Sequence, residues 1–127
     1  MGMKLDHTDR LIVNSDSWLQ NAEIAGVSED LRMSCAFTSG YNALQSVQPL
    51  YQGPLEDHPL PAIVEKGAAL IGLSKADEAL ALRLLAWENT RYFLEPKPVT
   101  VDEAIAWAKR VRDAALRLIA SSAPAPP

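Results

Sequence analysis

A chain of 127 residues can hold one domain with a real core and is too short for two ordinary ones. Apolar residues at 48% and charged residues at 22% exclude wholesale disorder, and a formal net charge of −4 offers no basic field for nucleic acid or an anionic membrane. A single cysteine excludes an internal disulfide framework and a structural thiolate zinc site. With no apolar run of about 20 residues and no signal-peptide core, a soluble cytoplasmic protein without a membrane partner is expected.

Met1 to Lys4 read as a loose start. From about Thr8 to Ala25, Leu11, Ile12, Ser15, Trp18, Leu19, Ala22 and Ala25 recur at spacings of three and four, which predicts a helix with one buried face. Gly26 stands where a helix end favours a left-handed residue. Ser28 is the expected N-cap of a second helix over about Glu29 to Val47, with Glu29 and Asp30 at its positive end. Its stripe is Met33, Ala36, Phe37, Gly40, Ala43, Leu44 and Val47. Gly40 in mid-helix costs about 1 kcal/mol against alanine, which points to close approach by another helix.

Pro49, Pro54, Pro59 and Pro61 with Gly53 forbid a helix across Gln48 to Pro61. A short helix follows over about Leu60 to Ile71, with Ile63, Val64, Gly67, Ala68 and Ile71 inward and Gly72 ending it. Ser74, with Asp77 three residues on, opens a fourth helix that reaches about Phe93, in a variant of the capping box. Apolar over much of its girth, this helix is expected to be central, until Pro96 and Pro98 stop the run. Thr100 and Glu103 form a full capping box for the last helix, which runs to about Ala120. Ala104, Ile105, Ala108, Val111, Ala115, Leu118 and Ile119 face inward. An Ala/Pro tail over 121–127 is expected to be disordered. The sum is an all-α, antiparallel bundle of four to five helices forming a single domain over residues 5–120.

The chemistry is sparse. No glycine-rich phosphate loop is present. His58 beside Glu56 and Asp57 reads as a solvated acidic loop rather than a metal site, since too few ligands are at hand, and no cofactor is expected. Cys35 among Leu31, Met33 and Phe37 reads as a buried small hydrophobe rather than a catalytic thiol. Trp18, Trp87 and Trp107 fall one to a helix and are expected in the core rather than on a base-stacking platform. Lys109, Arg110, Arg112 and Arg117 suit the negative end of the last helix better than they suit phosphates. The end of the fourth helix stands out, with Glu88, Asn89, Arg91 and Tyr92 together, and Glu88 can pair with Arg91 three residues on.

Three features of the chain resemble the HEPN domain, a small bundle of four to five helices. Ser34-Cys35-Ala36-Phe37 leading to Tyr41-Asn42-Ala43-Leu44 is similar to that family's aromatic-and-alanine helix. Glu88-Asn89-Thr90-Arg91-Tyr92 is similar to its Arg-Asn segment with a following tyrosine. The last helix, with Asp102-Glu103-Ala104 and Trp107-Ala108, is similar to the family's final helix, so that the likeness spans most of residues 8 to 119. Many such domains are metal-independent ribonucleases that use an arginine with a histidine four to six residues after it. Here Glu88 stands where the arginine should be, and Phe93 and Leu94 stand where a histidine is required. Arg83 and Arg91 likewise lack a histidine at that distance. Attack of a 2′-hydroxyl on a phosphodiester needs a polarising cation and a proton-handling group, and an acid in place of the cation repels the phosphate.

The resemblance therefore implies a non-catalytic HEPN-like scaffold that acts through protein contacts. The expected state is a homodimer, using the apolar excess of the fourth helix. Family context also implies a toxin–antitoxin or defence role beside a nucleotidyltransferase-like partner. The rival expectation is RNA or nucleotide binding or cleavage at a non-standard site, with Arg91, Asn89 and Tyr92 as contacts and Arg83 or His58 assisting.

Overall fold

The computed structural model describes residues 7–48, 61–90 and 96–122. Met1 to Lys4, most of the proline-rich segment including His58, Arg91 and Tyr92, and the tail from Ala123 lie outside the described residues. Within them the chain forms α1 (His7–Ala22), α2 (Glu29–Ser46), α3 (Pro61–Ile71), α4 (Lys75–Thr90) and α5 (Val101–Ser122), and no strand.

Local chemistry sets most helix ends. The Ser28 hydroxyl accepts the Leu31 amide at 3.3 Å and caps α2. At the end of α3, Gly72 takes φ of +67°, and the Gly72 and Leu73 amides close onto the Ala69 and Ala68 carbonyls, the pairing of a Schellman motif. Thr100 and Glu103 exchange both capping bonds, at 3.0 and 3.1 Å. α5 continues to Ser122, past the expected end at Ala120.

Two expected ends are corrected. α1 stops at Ala22 rather than Ala25, where Glu23 and Ile24 make turns back to the Gln20 and Asn21 carbonyls. Gly26 lies in the exposed turn, and among the described glycines only Gly72 is left-handed. The Ser74 hydroxyl caps the Asp77 amide at 3.1 Å, but the Asp77 carboxylate does not complete the box. It is held instead by Arg110 of α5, because a guanidinium fork outcompetes one backbone N–H for a carboxylate.

α2, not α4, is the centre of the bundle: it packs against all four other helices. Ten of its residues are buried, from Met33 to Ser46, against four in α4. Small side chains explain the difference. Ser39, Gly40 and Ala43 let neighbouring helices approach closely, whereas in α4 part of the apolar girth is alanine, and Ala76, Ala79 and Ala86 stay exposed. Close approach at Gly40 is realised by Trp107 of α5, and Gly67 of α3 similarly lies against the Leu44 backbone. Phe37 stacks on Trp107 at 6.3 Å between ring centres with planes 6° apart.

The contacts also fix directions. Thr8 donates to the Ser46 carbonyl, Ser15 meets Ser39, and Arg32 donates to the Ala22 carbonyl, so α1 and α2 are antiparallel. Asp16 pairs with Arg112 and Glu23 with Lys109, so α5 runs against α1 and hence along α2. The expected antiparallel bundle thus holds for α1 and α2 but not for α2 and α5. The chain passes through α3 and α4 before α5 returns, and such a crossover makes parallel neighbours.

Of the three tryptophans, Trp87 and Trp107 are in the core, at 4% and 0% exposure, but Trp18 is 39% exposed, contrary to expectation. The α1–α2 seam runs through Ser15, Leu19 and Ala22, all buried, and is too close for an indole. Ala25, expected on the same buried face, is exposed in the turn.

Candidate functional site

Of the residues singled out at the end of α4, Arg83 and Glu88 lie on different sides of the helix. Arg83 and Glu88 are five positions apart, about 140° around the helix. Glu88 is half-buried, with its Oε1 out of solvent, and its charge reaches the Cys35 thiol of α2. Asn89 is half-buried, and its Oδ1 is buried with no hydrogen-bond partner among the described residues. Arg83 points the other way. Its guanidinium donates to the Pro98 carbonyl at 2.8 Å across the α4–α5 connection.

Arg83 lines an open groove of about 410 Å³ with Ala86, Trp87, Thr90, Pro96 and Pro98. Glu88 and Asn89 are not among its lining residues, so among the described residues Arg83 stands apart from them. The groove's polar groups are already engaged, since the Thr90 hydroxyl donates to the Ala86 carbonyl at 2.9 Å. Lys97 anchors the same connection to the first turn of α2, at 3.1 Å from Asp30 and 3.8 Å from Glu29. Arg91 and Tyr92 lie outside the described residues, as does His58, and with them the expected Glu88–Arg91 pair.

Cys35 is free and buried, as its sequence surroundings suggest. Desolvation pushes its thiol up from the ordinary value, and the nearby Glu88 charge adds to the shift. Both effects favour the unreactive thiol over the nucleophilic thiolate. Among the described residues no three His, Cys, Asp or Glu side chains are grouped to hold a metal ion.

The basic set of α5 has a role that sequence spacing does not reveal. Arg110 grips Asp77 of α4 in a two-pronged bond at 2.8 and 3.0 Å, and the Asp77 carboxylate raises the guanidinium's affinity for its proton. Lys109 reaches Glu23 at 3.1 Å, and Arg112 pairs with Asp16. These three cations join α5 to α1 and α4. None of the α5 cations lies in the last turn, so the helix-dipole reading gives way to an interhelical one. Partners 33 to 96 positions away leave no local signal in the sequence. Compared with models of known protein families and with the sequences of characterised proteins, the chain matches none.

Proposed function

We propose that this chain is a HEPN-like helical protein without a catalytic centre of its own, which works through protein–protein contacts as a homodimer. Its context would be that of a toxin–antitoxin or defence component. The observation that carries the reading is that four of the described cations are engaged within the fold. Arg83 is bound to the Pro98 carbonyl, and Lys109, Arg110 and Arg112 are paired with acids of neighbouring helices. At the position where a nuclease of this type has its arginine, this chain has Glu88, whose charge reaches the buried Cys35 thiol. Large apolar side chains stay exposed meanwhile, Val13, Ile24, Leu31 and Leu70 among them, and such surface is the ordinary currency of protein contacts.

Two assays test it. Incubation of pooled RNA with micromolar protein is expected to give no cleavage, and filter binding at low salt no retention. Cleavage, or salt-dependent retention that Arg91→Ala abolishes, overturns the reading in favour of an RNA-active protein. Co-purification from the native host is expected to bring a second protein, and a nucleotidyltransferase-like fold is the expected class.

A further inference from the structure

Around α1, Asp16 and Glu23 mark the edge that faces α5. Trp18 lies two positions from Asp16, about 200° round, on the opposite shoulder of the α2-facing seam. Asn14 and Asn21 flank it at spacings of four and three, which continues one row. On α2, Gly40 marks the edge against α5. Leu31, Thr38 and Asn42 lie about 160–200° round from it, and Gln45 follows three residues later. Because α1 and α2 are antiparallel, the two rows fall on the same side of the hairpin, away from α5.

The composition of this face is unusual for the molecule. Asn14, Trp18, Asn21, Leu31, Thr38 and Asn42 are all uncharged, in a chain with 28 charged side chains among 127 residues. α2 carries no charge after Arg32, which is turned to the Ala22 carbonyl. Arg10 stands at the end of the α1 row, as a rim charge. Trp18 and Leu31 are 39% and 54% exposed within this neutral ground.

We infer that this α1/α2 face is where a second copy of the chain docks, with Trp18 as its anchor. The inference rests on the dimer reading above and moves its interface from α4, whose exposed apolar residues are alanines beside Lys75 and Arg83, to the hairpin. Electrostatics selects the occupant. Each copy carries −4, so two copies approach at least cost through a face without charge. Self-complementarity selects it as well. A two-fold axis sets a patch against itself, where like charges would clash, whereas each asparagine amide both donates and accepts and can pair with its own image. Interface centres are depleted in charge and enriched in tryptophan, which is the pattern here.

The full-length chain, at micromolar concentrations in light scattering and sedimentation, is expected to show twice the mass of one chain. Trp18→Glu is expected to raise the dissociation constant about 30-fold or more, the scale of a lost aromatic anchor. Asn21→Glu, on the exposed end of the row, acts in the same direction and keeps the test valid if Trp18→Glu does not fold by circular dichroism. Ala79→Glu on the outer side of α4 is expected to leave the dimer intact. A wild-type monomer, a dimer insensitive to the α1 substitutions, or a dimer equally broken by Ala79→Glu overturns the inference. An insensitive dimer sinks only this face and leaves the dimer reading standing, and the RNA assays judge the non-catalytic reading independently.

Discussion

Gly40 of α2 lies directly under the indole ring of Trp107 of α5, so closely that a methyl group at position 40 would overlap the ring. The indole is fully buried, stacked on Phe37, and its Nε1 donates to the Asp77 carbonyl at 3.1 Å. A rigid ring held on three sides cannot retreat. Gly40→Ala is therefore expected to destabilise by about 1–3 kcal/mol through overpacking, against the gain of about 1 kcal/mol that alanine brings to a helix interior. Urea unfolding checks it. Trp107→Phe in the same background is expected to recover part of the loss, as coupled neighbours do.

Ser15 and Ser39 join α1 to α2 by exchanging bonds between hydroxyls and opposite carbonyls, at 2.9 and 2.8 Å. Both side chains are fully buried. Ser15→Ala and Ser39→Ala are each expected to cost about 1 kcal/mol, the usual net worth of a buried hydrogen bond. The double variant is expected to cost less than the sum, because either deletion already breaks the reciprocal arrangement. Additive losses in denaturant unfolding would count against a coupled pair.

Arg110 and Asp77 make the best-formed ion pair between α4 and α5. The Arg110 side chain is 53% exposed, so solvent screens it. Arg110→Ala is expected to cost less than about 1 kcal/mol, and that cost shrinks in 1 M salt. A loss larger than that of Gly40→Ala would show that α5 is held by charge more than by the Trp107 contact.

The Glu103 carboxyl is held below its ordinary 4.5, first by the Thr100 backbone N–H and then by the Thr100 hydroxyl. The folded value is depressed, so the contribution is present above the unfolded value and is lost as pH falls through the folded one. Glu103→Gln keeps the acceptor without the titration. Thermal unfolding of the wild type is expected to lose stability below about pH 4.5 more steeply than Glu103→Gln does. Parallel profiles for the two proteins would remove the cap as a cause.

Cys35 is the opposite case. Burial, then the Glu88 charge, raise its thiol above the ordinary 9.0, so its contribution is present below that value and is lost as pH rises through the folded one. A thiol reagent at pH 8 is expected to leave the native chain unmodified and to label it fully in denaturant. Rapid native labelling would mean that the bundle opens around α2.

The helix ends that were legible have local causes. Ser28, Gly72, Ser74 and the Thr100–Glu103 box each act within a few residues along the chain, and each ends or opens a helix as its chemistry predicts. The buried stripe of α2, up to Leu44, was legible for the same reason, since one periodic face is all that a helix needs to declare its inner side. The candidate site was legible only as a composition. Nothing in the order of residues says that Arg83 donates to Pro98 while the charge of Glu88 reaches Cys35, because both follow from where α2 and the α4–α5 connection lie in space.

Order along the chain therefore determined five α-helices and most of their described caps. Tertiary structure alone decided that α2 rather than α4 is surrounded, that Trp18 faces outward and that three cations of α5 bind acids of α1 and α4. The physical reason is the range of the forces involved. Caps and periodicity act over one turn of helix, whereas close packing at a glycine or a salt bridge depends on which distant surface arrives there.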